Sequence, residues 1–164
     1  DFMILIALGS NLSSRAGDPR ETLRAALAHL GDNGVTPVAV SRFYRTPAWP
    51  DPRDPEFVNA VAQIVTELSP SELIARLHGT EAAFGRVRDA RNAPRTLDLD
   101  ILDYDGWIEP GPPVLPHPRM ETRAFVLIPL RDVAPDWQHP VSGARVDDLL
   151  AAIPQAERDA VKPL

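Results

Sequence analysis

The spacing of hydrophobic positions changes several times along this chain, and each change marks an element. From Phe2 to Leu8 nearly every residue is apolar, which predicts a buried strand ended by Gly9-Ser10-Asn11. The period then becomes helical. Leu23, Ala26, Leu27 and Leu30 follow Asp18 as a cap and Pro19 in the first turn, and Gly31 and Gly34 stop the helix. Val35 to Tyr44, with Val38, Val40 and Phe43, predicts a second strand with Pro37 near its start. Prolines at 47, 50, 52 and 55 exclude a helix or central strand over residues 46–55 and predict an exposed loop. Phe57 to Thr66 predicts a third strand. Ser69-Pro70-Ser71-Glu72 is a capping box with proline at the first helical position; its helix runs to about Phe84, with Gly85 as the stop.

Arg86 to Arg95 is a polar, basic loop, and Leu97 to Tyr104 predicts the fourth strand. Asp105-Gly106 signals a turn, with Trp107-Ile108 as a short return strand. Residues 111–118 form a second proline-rich loop. Thr122 to Val133 predicts a short helix interrupted by Pro129, and Asp147 to Ile153 a last helix. The order β-α-β-β-α-β is that of the split βαβ unit. The expected fold class is therefore α+β, a ferredoxin-like sandwich whose antiparallel sheet has helices packed on one face. Long loops and the C-terminal part would cover the other face, where a site can form. Nothing repeats or marks a linker, so residues 1–164 are expected to form one domain.

Composition narrows the function. Hydrophobic residues at 44% and charged residues at 24% suit a globular chain, and no apolar run reaches the length of a membrane span. The apolar start lacks a basic leader and is expected to be a strand rather than a signal peptide. Without cysteine, disulfide and thiolate chemistry are excluded, and a cytoplasmic protein is expected. A net charge of −6 argues against a general nucleic-acid binder. Of 17 basic residues all but Lys162 are Arg. GC-rich codon usage explains that total; it does not explain where the arginines sit. Any phosphate here must be held by guanidinium groups, which can clamp it with two parallel hydrogen bonds.

The chemistry concentrates in Asp98 and Asp100. On a strand they share one face, about 6.5–7 Å apart, opposite Leu97, Leu99 and Ile101. Like charges this close repel unless a cation compensates. The pair is either a solvated edge or a divalent-metal site. Arg86, Arg88, Arg91 and Arg95 lie just before it, which suits a metal-bound polyphosphate, since Mg²⁺ takes one or two carboxylates plus substrate phosphates. Surface salt bridges are the alternative. Glu81 shares a helix face with Ile74, Leu77 and Phe84, either reaching water at the border of that stripe or holding a nucleotide. Phe57, Asn59 and Phe125 could stack a planar heterocycle and read its edge, or be two core aromatics and a turn amide. His117, between two prolines, either touches phosphate or is merely exposed. The P-loop, dinucleotide and G-x-S-x-G signatures are absent.

Five blocks in order, ALGSNL, FYRTPAW, FVNAV, GRVR…PRTLDLDI and LPHPRMETRAFVL, resemble the 6-hydroxymethyl-7,8-dihydropterin pyrophosphokinase family of folate biosynthesis from about Ile4 to Pro135. The resemblance implies transfer of pyrophosphate from ATP to the hydroxymethyl group of the pterin, leaving AMP. It implies two Mg²⁺ ions on Asp98 and Asp100. Phe57 and Phe125 would sandwich the pterin, whose edge Asn59 and the backbone of Thr46 would read beside Pro47 and Trp49. Glu81, Arg88, Ile101, His117 and Arg123 would hold ATP, and Arg86 and Arg95 would act around the phosphates. The expected state is a monomer, with neither nucleic acid nor membrane as partner. Family members carry R-W-G-P-R where this chain has Arg91-Asn92-Ala93-Pro94-Arg95, so a lid tryptophan is missing. Trp49 stands where a smaller apolar residue is common, and His78 replaces a frequent Gln.

Overall fold

The computed structural model describes residues 2–48, 51–86 and 95–164. Strand β1 (Ile4–Ser10) takes the centre of the sheet because its run is apolar on both faces, and every residue but Ala7 is buried. Helix α1 (Pro19–Asp32) starts at a capping box in which Asp18 accepts from the Glu21 N–H and Glu21 accepts from the Asp18 N–H. Strands β2 (Thr36–Val40), β3 (Tyr44–Thr46) and β4 (Phe57–Val65) follow. Helix α2 (Pro70–Ala83) has the same box built from Ser69 and Glu72, and β5 (Asp98–Tyr104) closes the expected unit. Beyond it come a single 3-10 turn over Met120–Thr122, helices α3 (Ala124–Val133), α4 (Val146–Ala151) and α5 (Gln155–Asp159), and strand β6 (Lys162–Pro163).

The sheet runs β5-β1-β4-β3-β6, with β2 also paired to β4, and every pairing is antiparallel. This is the expected ferredoxin-like sandwich. Alternation along the strands builds a core on each face. Ile4, Ile6, Leu8, Ala60, Ile64, Leu99 and Ile101 pack against Leu23, Leu30, Leu73 and Leu77 of α1 and α2. Leu5, Val61 and Leu102 pack on the opposite face against Met120, Leu127, Leu130, Trp137 and Leu150. Helices therefore cover both faces, not one.

Four expectations need correction. The strand expected over Val35 to Tyr44 breaks in two at Ser41–Phe43. There the Ser41 N–H still donates to the Val61 carbonyl at 2.9 Å, but the Val61 N–H is accepted by Ser41 Oγ, also at 2.9 Å, so a side chain takes one of the two ladder bonds. Pro129 sits inside α3 without interrupting it. Its missing N–H forfeits one bond in the second turn, while Val126, Leu127, Pro129 and Leu130 are all buried. Trp107-Ile108 forms no return strand. Asp105 (φ 52°) and Gly106 (φ 74°) turn the chain, Trp107 packs on Tyr104 with ring centres 4.8 Å apart, and the bridge falls instead at Glu109–Leu115. The last predicted helix ends at Ala151, and α5 and β6 follow it.

Candidate active site

A hollow forms on the α3 face of the sheet because side chains along β1 shrink toward its end. Leu5 fills the second core, whereas Ala7 and Gly9, on the same face by alternation, fill little. In register, Ala7 lies between Val61 and Asp100, and Gly9 lies between Asn59 and Asp98. A Cβ on Gly9 would stand 3.0 Å from Asn59 Oδ1 and 3.8 Å from the Phe57 ring. Around this floor stand Asn59, Asp98, Asp100, His117, Arg123 and Phe125. The structure thus gathers residues from four segments that the sequence keeps far apart.

On the β4 side, the Asn59 amide donates to Thr46 Oγ1 at 3.0 Å. That bond turns Oδ1 toward Gly9, so an acceptor faces the hollow. Thr46 belongs to β3, not to the loop, and pairs with Phe57. Pro47 is exposed just beyond it. Phe125, at the start of α3, stays 37% exposed, an apolar ring left open beside a polar floor. Arg123 stacks its guanidinium over that ring at 5.5 Å.

On the β5 side the two carboxylates differ. Asp98 Oδ1 accepts from Arg86 Nη1 at 2.7 Å, and its Oδ2 lies 3.4 Å from Arg95 Nη1. Among the described residues no cation lies within ion-pair distance of Asp100. Burial and the charges of Asp98 and Glu81 push Asp100 up to about 6. Two oxygen donors on one face, one of them short of positive charge, form a donor set that fits a hard divalent cation completed by phosphate oxygens. Among the described residues no group of three or more His, Asp or Glu is arranged to hold a metal ion by itself. An ion here would need its remaining ligands from substrate or water.

Glu81 is neither at a border nor in water. It is 1% exposed, and its Oε2 accepts from Arg86 Nη1 at 2.6 Å and from the Leu99 N–H at 2.8 Å. It reaches from α2 to the backbone of β5 and holds Arg86 against Asp98. Ile101 packs its side chain into the α1/α2 core at 3% exposure, so only its backbone can meet a ligand. His117 is fixed to β5 by its N–H, which donates to the Leu102 carbonyl at 2.9 Å. Its Nδ1 accepts from the Arg119 N–H at 3.2 Å, and burial with Arg123 and Arg119 nearby holds the ring down to about 4. The ring is therefore neutral near pH 7 and carries its proton on Nε2. Trp49, Arg88 and Arg91 lie outside the described residues.

A family model described as 7,8-dihydro-6-hydroxymethylpterin-pyrophosphokinase (HPPK) matches residues 5–135. The chain belongs to this family. Membership makes it a pyrophosphokinase of folate biosynthesis. It is 44% identical over 155 residues to the 2-amino-4-hydroxy-6-hydroxymethyldihydropteridine pyrophosphokinase of Pseudomonas aeruginosa, covering 92% of this chain and 91% of that one. To the enzyme of the same name from Methylorubrum extorquens it is 41% identical over 150 residues, covering 90% and 91%. Among solved structures, an HPPK-DHPS in complex with substrates matches 99% of this chain at a TM-score of 0.75 and 12% identity. The wild-type HPPK-DHPS of Plasmodium falciparum matches 92% at 0.65 and 13%. This chain spans 46% and 44% of those two chains, and the likeness to them is one of fold.

Sequence reasoning missed the pyrophosphokinase's floor, Ala7 and Gly9. The signal was present in the odd positions of β1, which fall from Leu5 to Ala7 to Gly9. The inward turn of Glu81 had no such signal, because a carboxylate beside an apolar stripe can face either way.

Proposed function

We propose that this chain transfers the β,γ-pyrophosphoryl group of ATP to the hydroxymethyl oxygen of 6-hydroxymethyl-7,8-dihydropterin, giving AMP and the pterin diphosphate. The bond formed is from that oxygen to the β-phosphorus. The bond broken joins the β-phosphorus to the bridging oxygen that leaves with AMP, and the hydroxyl proton passes to solvent. One observation carries the reading: Asn59, Gly9 and Asp98 lie in register across three strands, so an edge-reading amide and a carboxylate face each other over an empty floor. Two strand spacings, about 10 Å, separate the ends. A flat ring read at Asn59 would project its hydroxymethyl arm toward the carboxylates.

Asp98 and Asp100 would hold two Mg²⁺ ions, which when bound neutralise the phosphates and polarise the reacting oxygens. The chain's own groups do the rest. Phe57 and Phe125 stack the pterin. Asn59 Oδ1, oriented by Thr46, accepts from a ring N–H or amino group. Arg86, held by Glu81, keeps a fixed positive charge beside Asp98, and Arg95 and Arg123 add two more around the phosphates. Neutral His117 donates from Nε2 to a phosphate oxygen. The backbone of Ile101 on the outer strand, together with Arg88, would contact the nucleotide. Glu81 acts through Arg86 and Leu99, not by touching ATP. Trp49 would flank the pterin next to Pro47. The proposal extends to a cytoplasmic monomer working without nucleic acid or membrane; no helix among the described residues is long and apolar enough to cross a bilayer.

The test is to mix the protein with ATP, Mg²⁺ and the hydroxymethyl dihydropterin and resolve the nucleotides. AMP formed only with the pterin present is the expected result. ADP, or no turnover, would overturn the reading.

A further inference from the structure

Asn11 directly follows β1 and is only 2% exposed. Its backbone N–H donates to the Arg95 carbonyl at 3.1 Å, and its side-chain Oδ1 accepts the Arg95 N–H at 2.8 Å. Its Nδ2 donates to the Pro55 carbonyl at 3.1 Å. One short side chain therefore joins two segments that are remote in sequence. Each leads straight to one half of the hollow. Arg95 brings its guanidinium to 3.4 Å from Asp98 Oδ2. Pro55 stands two residues before Phe57, the first residue of β4 and the ring that flanks Gly9.

The chemistry of the side chain matters. A carboxamide offers an acceptor and a donor from the same planar group, and both are used here. Aspartate has the same shape but no donor for the Pro55 carbonyl. Alanine has neither. The backbone bond to Arg95 would survive either change, so the side chain specifically ties the Pro55 segment to the Arg95 segment.

We propose that Asn11 is a positioning residue that couples the two halves of the site. Ordering Arg95 through a nucleotide on Asp98 orders Pro55 and Phe57 through the same amide, and so tightens binding of the ring. By linkage the ring tightens the nucleotide by the same factor. This proposal rests on the function assigned above.

The experiment measures pterin affinity by calorimetry, with and without Mg²⁺ and a nonhydrolysable ATP analogue, in the parent, Asn11→Asp and Asn11→Ala. AMP formation and thermal unfolding are followed alongside. In the parent the analogue should tighten pterin binding about tenfold or more. In Asn11→Asp that gain should fall below about threefold, and turnover should drop about a hundredfold, the scale of a small misplacement of reacting groups. Binding of either ligand alone should change little. Asn11→Ala should lose at least as much. Should the alanine variant not fold, the aspartate variant, which keeps the volume and the Arg95 contact, decides. A folded aspartate variant with the parent's gain and rate would overturn the proposal, as would a parent with no gain at all. An aspartate variant that cannot fold would make Asn11 a structural support and overturn it equally. A parent that binds both ligands cooperatively yet forms no AMP would sink the assigned function instead, because the coupling is read without turnover.

Discussion

Arg86 donates through Nη1 to Asp98 Oδ1 at 2.7 Å, and the same nitrogen lies 2.6 Å from Glu81 Oε2. A carboxylate at the hollow and one buried beneath β5 thus share a single guanidinium nitrogen. This gives the arginine a fixed place before any substrate arrives. Such an arrangement lowers the reorganisation needed when charge develops on a phosphoryl group.

Removing Arg86 should damage both fold and function. Arg86→Ala leaves Glu81 buried with a major partner gone, and breaking a buried pair costs about 3–5 kcal/mol. Chemical denaturation should show a loss near the lower end of that range, because the Leu99 N–H still binds Glu81. AMP formation should fall about a hundredfold or more. Arg86→Lys should not restore it, since one ammonium cannot reproduce the planar fork. A lysine variant of near-normal rate would refute the role.

Asp100 should show the reverse relation between stability and activity. Its ionised form is disfavoured by burial and by the charges of Asp98 and Glu81. Asp100→Asn removes that repulsion, so without Mg²⁺ at pH 7 the variant should melt at or above the parent's temperature. Turnover should nonetheless fall by several orders of magnitude. Adding Mg²⁺ with an ATP analogue should raise the melting temperature of the parent more than that of the variant. A variant of near-parental rate would remove Asp100 from the reaction.

Gly9 should control which acceptors enter. Gly9→Val would place a side chain at 3.0 Å from Asn59 Oδ1, beside Phe57, and fill the floor between amide and carboxylate. Calorimetry should show pterin affinity falling about tenfold or more, the scale of a filled pocket or an unpaired polar group. Affinity for the ATP analogue should stay within about threefold. Equal losses for both ligands would point to a distorted sheet, not a blocked subsite.

His117 supplies a pH dependence of defined sign. Its folded value, about 4, lies below the usual 6.5 of an unfolded imidazole. Between those values the unfolded chain binds more protons than the folded one, so this residue makes stability rise with pH and fall as pH drops from 6.5 toward 4. Asp100, raised to about 6, contributes with the opposite sign over part of that range. The clean measurement is therefore a difference. Melting curves of the parent and His117→Asn, taken without nucleotide, should diverge as pH falls below 6.5, with the parent losing relative stability. Parallel curves would mean that the ring is not held neutral.

Local pattern determined a good deal of this protein. The helices announced themselves through Asp18-Pro19 and Ser69-Pro70 with their caps, and the period of two in β5 put Asp98 and Asp100 on one face. These are short-range effects: a cap needs three residues and a strand face needs alternate ones, so they survive in a linear string. Tertiary structure decided what each polar group meets. The strand breaks at Ser41 where its hydroxyl takes the Val61 N–H, Glu81 turns inward because Arg86 and the Leu99 N–H wait there, and Asn11 gains its meaning from Arg95 and Pro55. The floor at Ala7 and Gly9 becomes a site only once β4 and β5 lie on either side of β1 in this register. The physical reason is that a buried polar group must find its partner wherever strand register and packing bring one, and neither is a property of neighbouring residues in the chain.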